Sequence, residues 1–93
     1  MLLILGKLTV QPEKRDGFLA FARATLPLER ATPGCLGFDF YADLAVEDVY
    51  LMIERWTDGA ALDAYMQTDT YHEHEHTLMG FLSDEPAWEE YEV

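Results

Sequence analysis

Hydrophobic and polar positions alternate with a period of two in several stretches of this chain, and recur every three to four residues in the stretches between. Leu36, Phe38 and Phe40 alternate with Gly37, Asp39 and Tyr41, which predicts a strand. Thr32-Pro33-Gly34-Cys35 precedes it as a turn, because Pro33 cannot continue a helix and Gly34 permits a sharp reversal. Past an acidic connection from Asp43 to Asp48, Val49 to Trp56 is rich in β-branched and aromatic residues and reads as the hairpin partner. Both faces of that strand are largely apolar: Val49, Leu51 and Ile53 on one, Tyr50, Met52 and Trp56 with Glu54 on the other. Each face therefore needs a cover, helices on one side and a second copy of the chain on the other.

The remaining elements follow in order. Leu2 to Val10 alternates as a strand, and Gln11-Pro12-Glu13 opens a helix with Pro in its favoured first turn. Phe18, Phe21, Ala22, Thr25 and Leu28 form the expected buried stripe of that helix, with Pro27 interrupting it near its end. Thr57-Asp58 caps a short helix carrying Leu62, Tyr65 and Met66. Thr70 with Glu73 suggests a capping box for a third helix carrying Leu78, Phe81 and Leu82, and Ala87 to Val93 reads as a closing strand. The order β-α-β-β-α-β predicts a ferredoxin-like α+β fold, a four-stranded antiparallel sheet with helices on one face. Residues 1–93 are expected to form a single domain.

Composition narrows the function. Eighteen acidic against six basic residues give a net charge of −12, which repels phosphates and argues against nucleic acid or an anionic membrane as partner. The longest apolar run, Met1 to Leu5, is too short for a membrane span or a signal peptide, so a cytoplasmic location is expected. The single cysteine, Cys35, leaves no intrachain disulfide and reads as a small hydrophobe at a strand start.

Three groups of residues could carry chemistry. His72-Glu73-His74-Glu75-His76 contains H-E-x-x-H, with His72 and His76 on one helical face, but no third zinc ligand is identifiable, so no metal is expected. His74 points to the opposite, apolar side with Tyr71, Leu78 and Leu82, either as a packed core histidine or as a ligand-facing base. Glu54 shares a strand face with Met52 and Trp56, where burial must shift its pKa unless donors satisfy it. The two C-terminal helices must pack over that face. A pocket is thus expected there with His74 and Glu54 as catalytic residues and Trp56, Met52, Tyr65 and Tyr71 as substrate-binding walls. Against a phenol of pKa about 10, a neutral imidazole falls roughly three to four units short. An unshifted glutamate falls further short, which favours His74 as base and Glu54 as its partner.

Pro33-Gly34-Cys35-Leu36, Glu54-Arg55-Trp56-Thr57-Asp58 with Ala61-Leu62, the opening Lys7 to Lys14 and the closing Tyr91-Glu92-Val93 together resemble the antibiotic biosynthesis monooxygenase superfamily. The resemblance implies a homodimer, a dimeric α+β barrel joined sheet to sheet, with a pocket between sheet and helices. It also implies oxidation of a small aromatic hydroxyl compound, such as a quinol or anthrone, by O₂ with no cofactor. Trp56 matches a tryptophan that lines the pocket in such enzymes, whereas Met52 and Leu62 stand where they can place asparagine and tyrosine. Leu5, Tyr65 and Glu75 stand where a haem-degrading branch places asparagine, tryptophan and histidine, which argues against haem cleavage. A non-enzymatic small-molecule-binding module on the same fold is the alternative.

Overall fold

A computed structural model describes all of residues 1–93. The elements are β1 (Leu2–Thr9), a 3-10 turn (Pro12–Lys14), α1 (Arg15–Arg30), β2 (Cys35–Ala42), β3 (Val49–Trp56), α2 (Gly59–Met66), α3 (Asp69–Phe81) and β4 (Ala87–Glu92). The strands form one antiparallel sheet in the order β2-β3-β1-β4. This is the ferredoxin-like plan that the alternation predicts, with the last helix split into α2 and α3.

Strand register decides which side chains meet the helices. Tyr50, Met52, Glu54 and Trp56 of β3 lie opposite Leu8, Gly6, Ile4 and Leu2 of β1. On the other flank they pair with Ala42, Phe40, Phe38 and Cys35 of β2. The core forms on this face, around Leu2, Leu8, Phe18 and Trp56, with exposures of 0–2%. Burying one such side chain contributes about 1.5–3 kcal/mol. The opposite face carries Leu3, Leu5, Val49, Leu51 and Ile53; Val49 is already buried within the single chain, and the other four are left partly or fully accessible.

Three helix features depart from the sequence reading. Pro27 does not interrupt α1, which runs on to Arg30 and is closed by Ala31 N–H on the Pro27 carbonyl (3.2 Å) and Thr32 N–H on the Glu29 carbonyl (3.1 Å). Pro27 and Arg23 are both exposed, so water can satisfy the Arg23 carbonyl that the proline leaves without a donor. The buried stripe is Phe18, Ala22, Thr25 and Glu29, while Leu28 is 59% exposed. The cap of α3 also shifts: Thr68, two residues before Thr70, accepts from Tyr71 N–H at 3.1 Å.

The Pro33-Gly34 turn locks α2 in place. Gly34 has φ +81°, and a Cβ there would lie 2.4 Å from the Ala61 Cβ, so only glycine fits. Its carbonyl accepts from Thr57 N–H at 2.9 Å, and Asp58 Oδ1 caps α2 through Ala61 N–H at 2.9 Å. No helix is long and apolar enough to cross a membrane.

Candidate active site

Because three helices must cover one face of four strands, the covering layer leaves a gap. A cavity of about 560 Å³ lies between Ile4, Phe38, Phe40, Met52 and Glu54 of the sheet and residues of α1, α2 and α3. Trp88 of β4 also lines it. Its indole packs over Gly6, where a Cβ would lie 2.3 Å from the ring. Of the sequence-predicted residues, Glu54, Met52, Tyr65, Tyr71 and His74 all line this cavity.

Trp56 does not, and its expected place on the wall is corrected. It is 0% exposed, and stacks on Tyr65 at 5.1 Å with a 29° interplanar angle. Its indole N–H donates to Glu54 Oε1 at 3.1 Å. Trp56 therefore stands behind two wall residues and fixes the floor carboxylate. The cause is register: Trp56 pairs with Leu2 and Cys35 at the end of the hairpin, where α2 and its Tyr65 lie directly over it.

The partner of His74 is also not Glu54. His74 Nδ1 approaches Glu29 Oε1 of α1 at 3.3 Å, with side-chain exposures of 17% and 5%. The two are not aligned for a hydrogen bond; Nδ1 and the other carboxylate oxygen, Glu29 Oε2, are both buried without a partner. Phe21, two turns before Glu29 on α1, packs edge-on against the same imidazole at 6.0 Å. Sequence reasoning missed Glu29. The signal was present: stepping by four, three and four from Phe18 gives Ala22, Thr25 and Glu29.

Burial governs the protonation of these groups. It pushes Glu54 up to about 7, against the opposing hydrogen bond from Trp56. It pushes Glu29 up to about 7 as well, opposed by the Thr25 hydroxyl and reinforced by the charge of Glu54. The same loss of water lowers His74 below the usual imidazole value. Tyr65 is raised by burial and by Glu29 and Glu54, and Tyr71 by burial and Glu75, so both phenols stay protonated donors at neutral pH.

His72 and His76 are exposed, and no three His, Cys, Asp or Glu side chains converge as a metal-ligand set. Cys35 is half-buried and its thiol is raised by burial, which disfavours a reactive thiolate.

The sequence profile of the antibiotic biosynthesis monooxygenase family matches residues 1–77, from β1 through most of α3. The chain belongs to the antibiotic biosynthesis monooxygenase family. An uncharacterised Synechocystis protein, sll1783, is 33% identical over 72 residues, covering 77% of this chain and 49% of that protein. The chain thus spans about half the length of that relative. YcnE of Bacillus subtilis, named as a proposed monooxygenase, is 31% identical over 68 residues, covering 73% of this chain and 72% of its own. The crystal structure of a conserved Methanosarcina mazei protein superposes with a TM-score of 0.90 at 24% identity, covering 97% of this chain and 89% of that one. At that identity the likeness is one of fold.

Proposed function

We propose that this family member is a monooxygenase that binds a small aromatic hydroxyl compound of the quinol type in the 560 Å³ cavity and oxidises it with O₂. Family membership supports the reaction class. One observation carries the site: two buried carboxyl groups, Glu54 and Glu29, held near pKa 7 on an aromatic-walled cavity.

The chemistry needs a base. Deprotonating the quinol makes an electron-rich phenolate that reduces O₂ directly. The quinol supplies all four electrons: one oxygen atom forms the new C–O bond of a hydroxyquinone and the other leaves as water. Burial reverses the ranking of bases reached from sequence, since it raises a carboxylate towards the substrate's pKa and lowers an imidazole away from it. Glu54, at about 7, falls about three units short of a phenol, or about 4 kcal/mol, against about 8 for an unshifted glutamate. The protonated Tyr65 hydroxyl can donate to the developing oxyanion, and one such donor in a dry site contributes about 3–4 kcal/mol. Glu54 is therefore assigned as the proton acceptor, Trp56 as the residue that positions it, and the His74–Glu29 pair as the second proton-holding site. Met52 and Tyr71 complete the walls.

A panel of quinols tested for O₂ uptake decides between this reading and a binding module. Uptake that depends on Glu54 is expected; binding without uptake by any quinol contradicts the enzyme reading.

A second copy is proposed to cover the outer sheet face. Leu3, Leu5, Leu51 and Ile53 are neighbours there, and the charged residues of that face are Lys7, Arg55, Asp39 and Glu89, two of each sign. In a chain of net charge −12, this is a face on which two copies can meet without acidic repulsion. Light scattering should give a dimer at micromolar concentration, and Ile53→Glu should dissociate or precipitate it; a wild-type monomer contradicts the dimer.

A further inference from the structure

The buried side-chain polar atoms left without a partner are His74 Nδ1 on α3 and Glu29 Oε2 on α1. Both are sealed from the cavity as well as from solvent, so only the two side chains themselves can satisfy them. Nδ1 lies 3.3 Å from the other carboxylate oxygen, Oε1, at the edge of hydrogen-bond reach and out of line. The imidazole turns about a broad torsion at its Cβ–Cγ bond, so aligning it costs little. Leaving buried polar atoms unpaired costs more.

Which group donates depends on one proton. A protonated Glu29 carboxyl donates to a bare Nδ1, and the ring's own proton then sits on Nε2. An ionised Glu29 only accepts, so Nδ1 must carry the ring proton and Nε2 is left bare. Nε2 is not sealed as Nδ1 is. His74 lines the cavity with the 17% of its side chain that stays accessible. A proton on Glu29 is thereby felt on the cavity side of the ring.

The surroundings leave the choice open near neutrality. On α1 the Thr25 hydroxyl and the Arg30 charge favour an ionised Glu29, and Glu54 on β3 disfavours it. Burial is the largest influence and lifts the group to about 7. Arg30 is itself turned away, to the Phe38 carbonyl (2.9 Å) and Asp39 Oδ1 (2.8 Å). Tyr65 of α2 and Cys35 of β2 feel the Glu29 charge too, but burial raises both and they stay neutral. Burial lowers His74, against the opposing charge of Glu73. The first proton to enter the pair therefore goes to the carboxyl and not to the ring.

We propose that Glu29 is a positioning residue that acts through His74. Protonated, it holds the Nε2–H tautomer, and His74 offers the cavity a hydrogen-bond donor. Ionised, it holds the Nδ1–H tautomer, and His74 offers an acceptor. The consequence for binding rests on the cavity being the ligand site proposed above. A ligand hydroxyl is met through its oxygen in the first state and through its proton in the second, where the carboxylate behind the ring supports Nε2 as a base.

Nitrogen-15 NMR of the ligand-free protein, labelled at histidine, tests this, because bare and protonated ring nitrogens resonate far apart. His74 is assigned with His74→Gln, and the exposed His72 and His76 serve as references. The bare nitrogen should be Nδ1 at pH 6 and Nε2 at pH 9, with the exchange centred near 7. Glu29→Gln should hold one tautomer throughout, since an amide has no proton to lose. Its backbone amide spectrum should match the wild type at pH 6, where the wild-type carboxyl is also neutral, which shows that the variant is folded. The proposal is overturned if wild-type His74 keeps one tautomer from pH 6 to pH 9, if the exchange survives in Glu29→Gln, or if the ring becomes imidazolium in the step near 7. O₂ uptake is read separately. A failure of every quinol defeats the oxidation and leaves the tautomer exchange standing, and a missing exchange defeats this inference alone.

Discussion

At their two ends α1 and β3 hold acidic groups in opposite ways. Where α1 begins and β3 is about to begin, Arg15 grips Asp48 through two hydrogen bonds of 2.6 and 2.9 Å. That pairing holds the Asp48 carboxyl below its ordinary value. Where both elements end, Glu29 and Glu54 are 4% and 7% exposed with no cation beside the cavity, and burial lifts both to about 7. One end uses a carboxylate to fasten a loop, with Asp48 in the left-handed conformation at φ 61° and its carbonyl taking the Val10 N–H at 2.8 Å. The other keeps two carboxyls poised to gain and lose protons near neutrality. Charge alone does not mark a candidate functional acid; lost solvation without a counter-charge, on the wall of a cavity, does.

The difference can be broken most forcefully at the floor of the cavity. Glu54→Gln keeps shape and the possibility of a bond to Trp56 but removes the base, and should lower kcat on any quinol substrate by about a hundredfold or more. Unchanged turnover would move the base to the His74–Glu29 pair.

Stability against pH comes next, and its sign separates the two ends. Glu29 and Glu54 have folded values near 7 against an ordinary 4.5, so between those values the folded state binds more protons than the unfolded chain. Stability from these groups is then full below about pH 4.5 and is lost as pH rises through 7. For Glu29 that difference corresponds to about 3 kcal/mol. Glu29→Gln should therefore unfold at higher urea than the wild type at pH 8, with the advantage gone at pH 4.5.

A smaller effect is expected where Trp88 lines the cavity. Gly6→Ala places a Cβ against the Trp88 ring, and urea unfolding should show a loss of about 1 kcal/mol as the indole shifts. The displaced ring would admit water, and the Glu54 midpoint should fall with it. The smallest change belongs to Asp48→Asn, which should lower the urea midpoint slightly at pH 7, an effect that fades as pH falls through the lowered folded value of the wild-type carboxyl. Amide replacements would then act oppositely at the two ends: stabilising for Glu29, destabilising for Asp48.

Strand alternation and the Pro33-Gly34 turn made the fold readable, because a period of two and a break in the helix are local properties. They also put Met52, Glu54, Tyr65, Tyr71 and His74 around one space. Glu29 was not readable in the same way. Phe18-Phe21-Thr25-Leu28 and Phe18-Ala22-Thr25-Glu29 both satisfy helical spacing, and only the packing of α1 against the sheet and α3 chooses the second. Trp56 fails for a related reason. Its strand face is fixed by alternation, but whether a cavity or the Tyr65 ring lies above it depends on where α2 lands. The base ranking reversed because the direction of a burial shift depends on charge type, and burial itself is tertiary.

The most direct test is a carbon-13 NMR titration of the glutamate carboxyls from pH 4 to pH 9, assigned with Glu29→Gln and Glu54→Gln. Two resonances with midpoints near 7, each lost in one variant, are the expected result. Midpoints for both groups at or below the ordinary glutamate value of about 4.3 would contradict it. The cavity would then hold two permanent carboxylates and no base strong enough for the proposed chemistry.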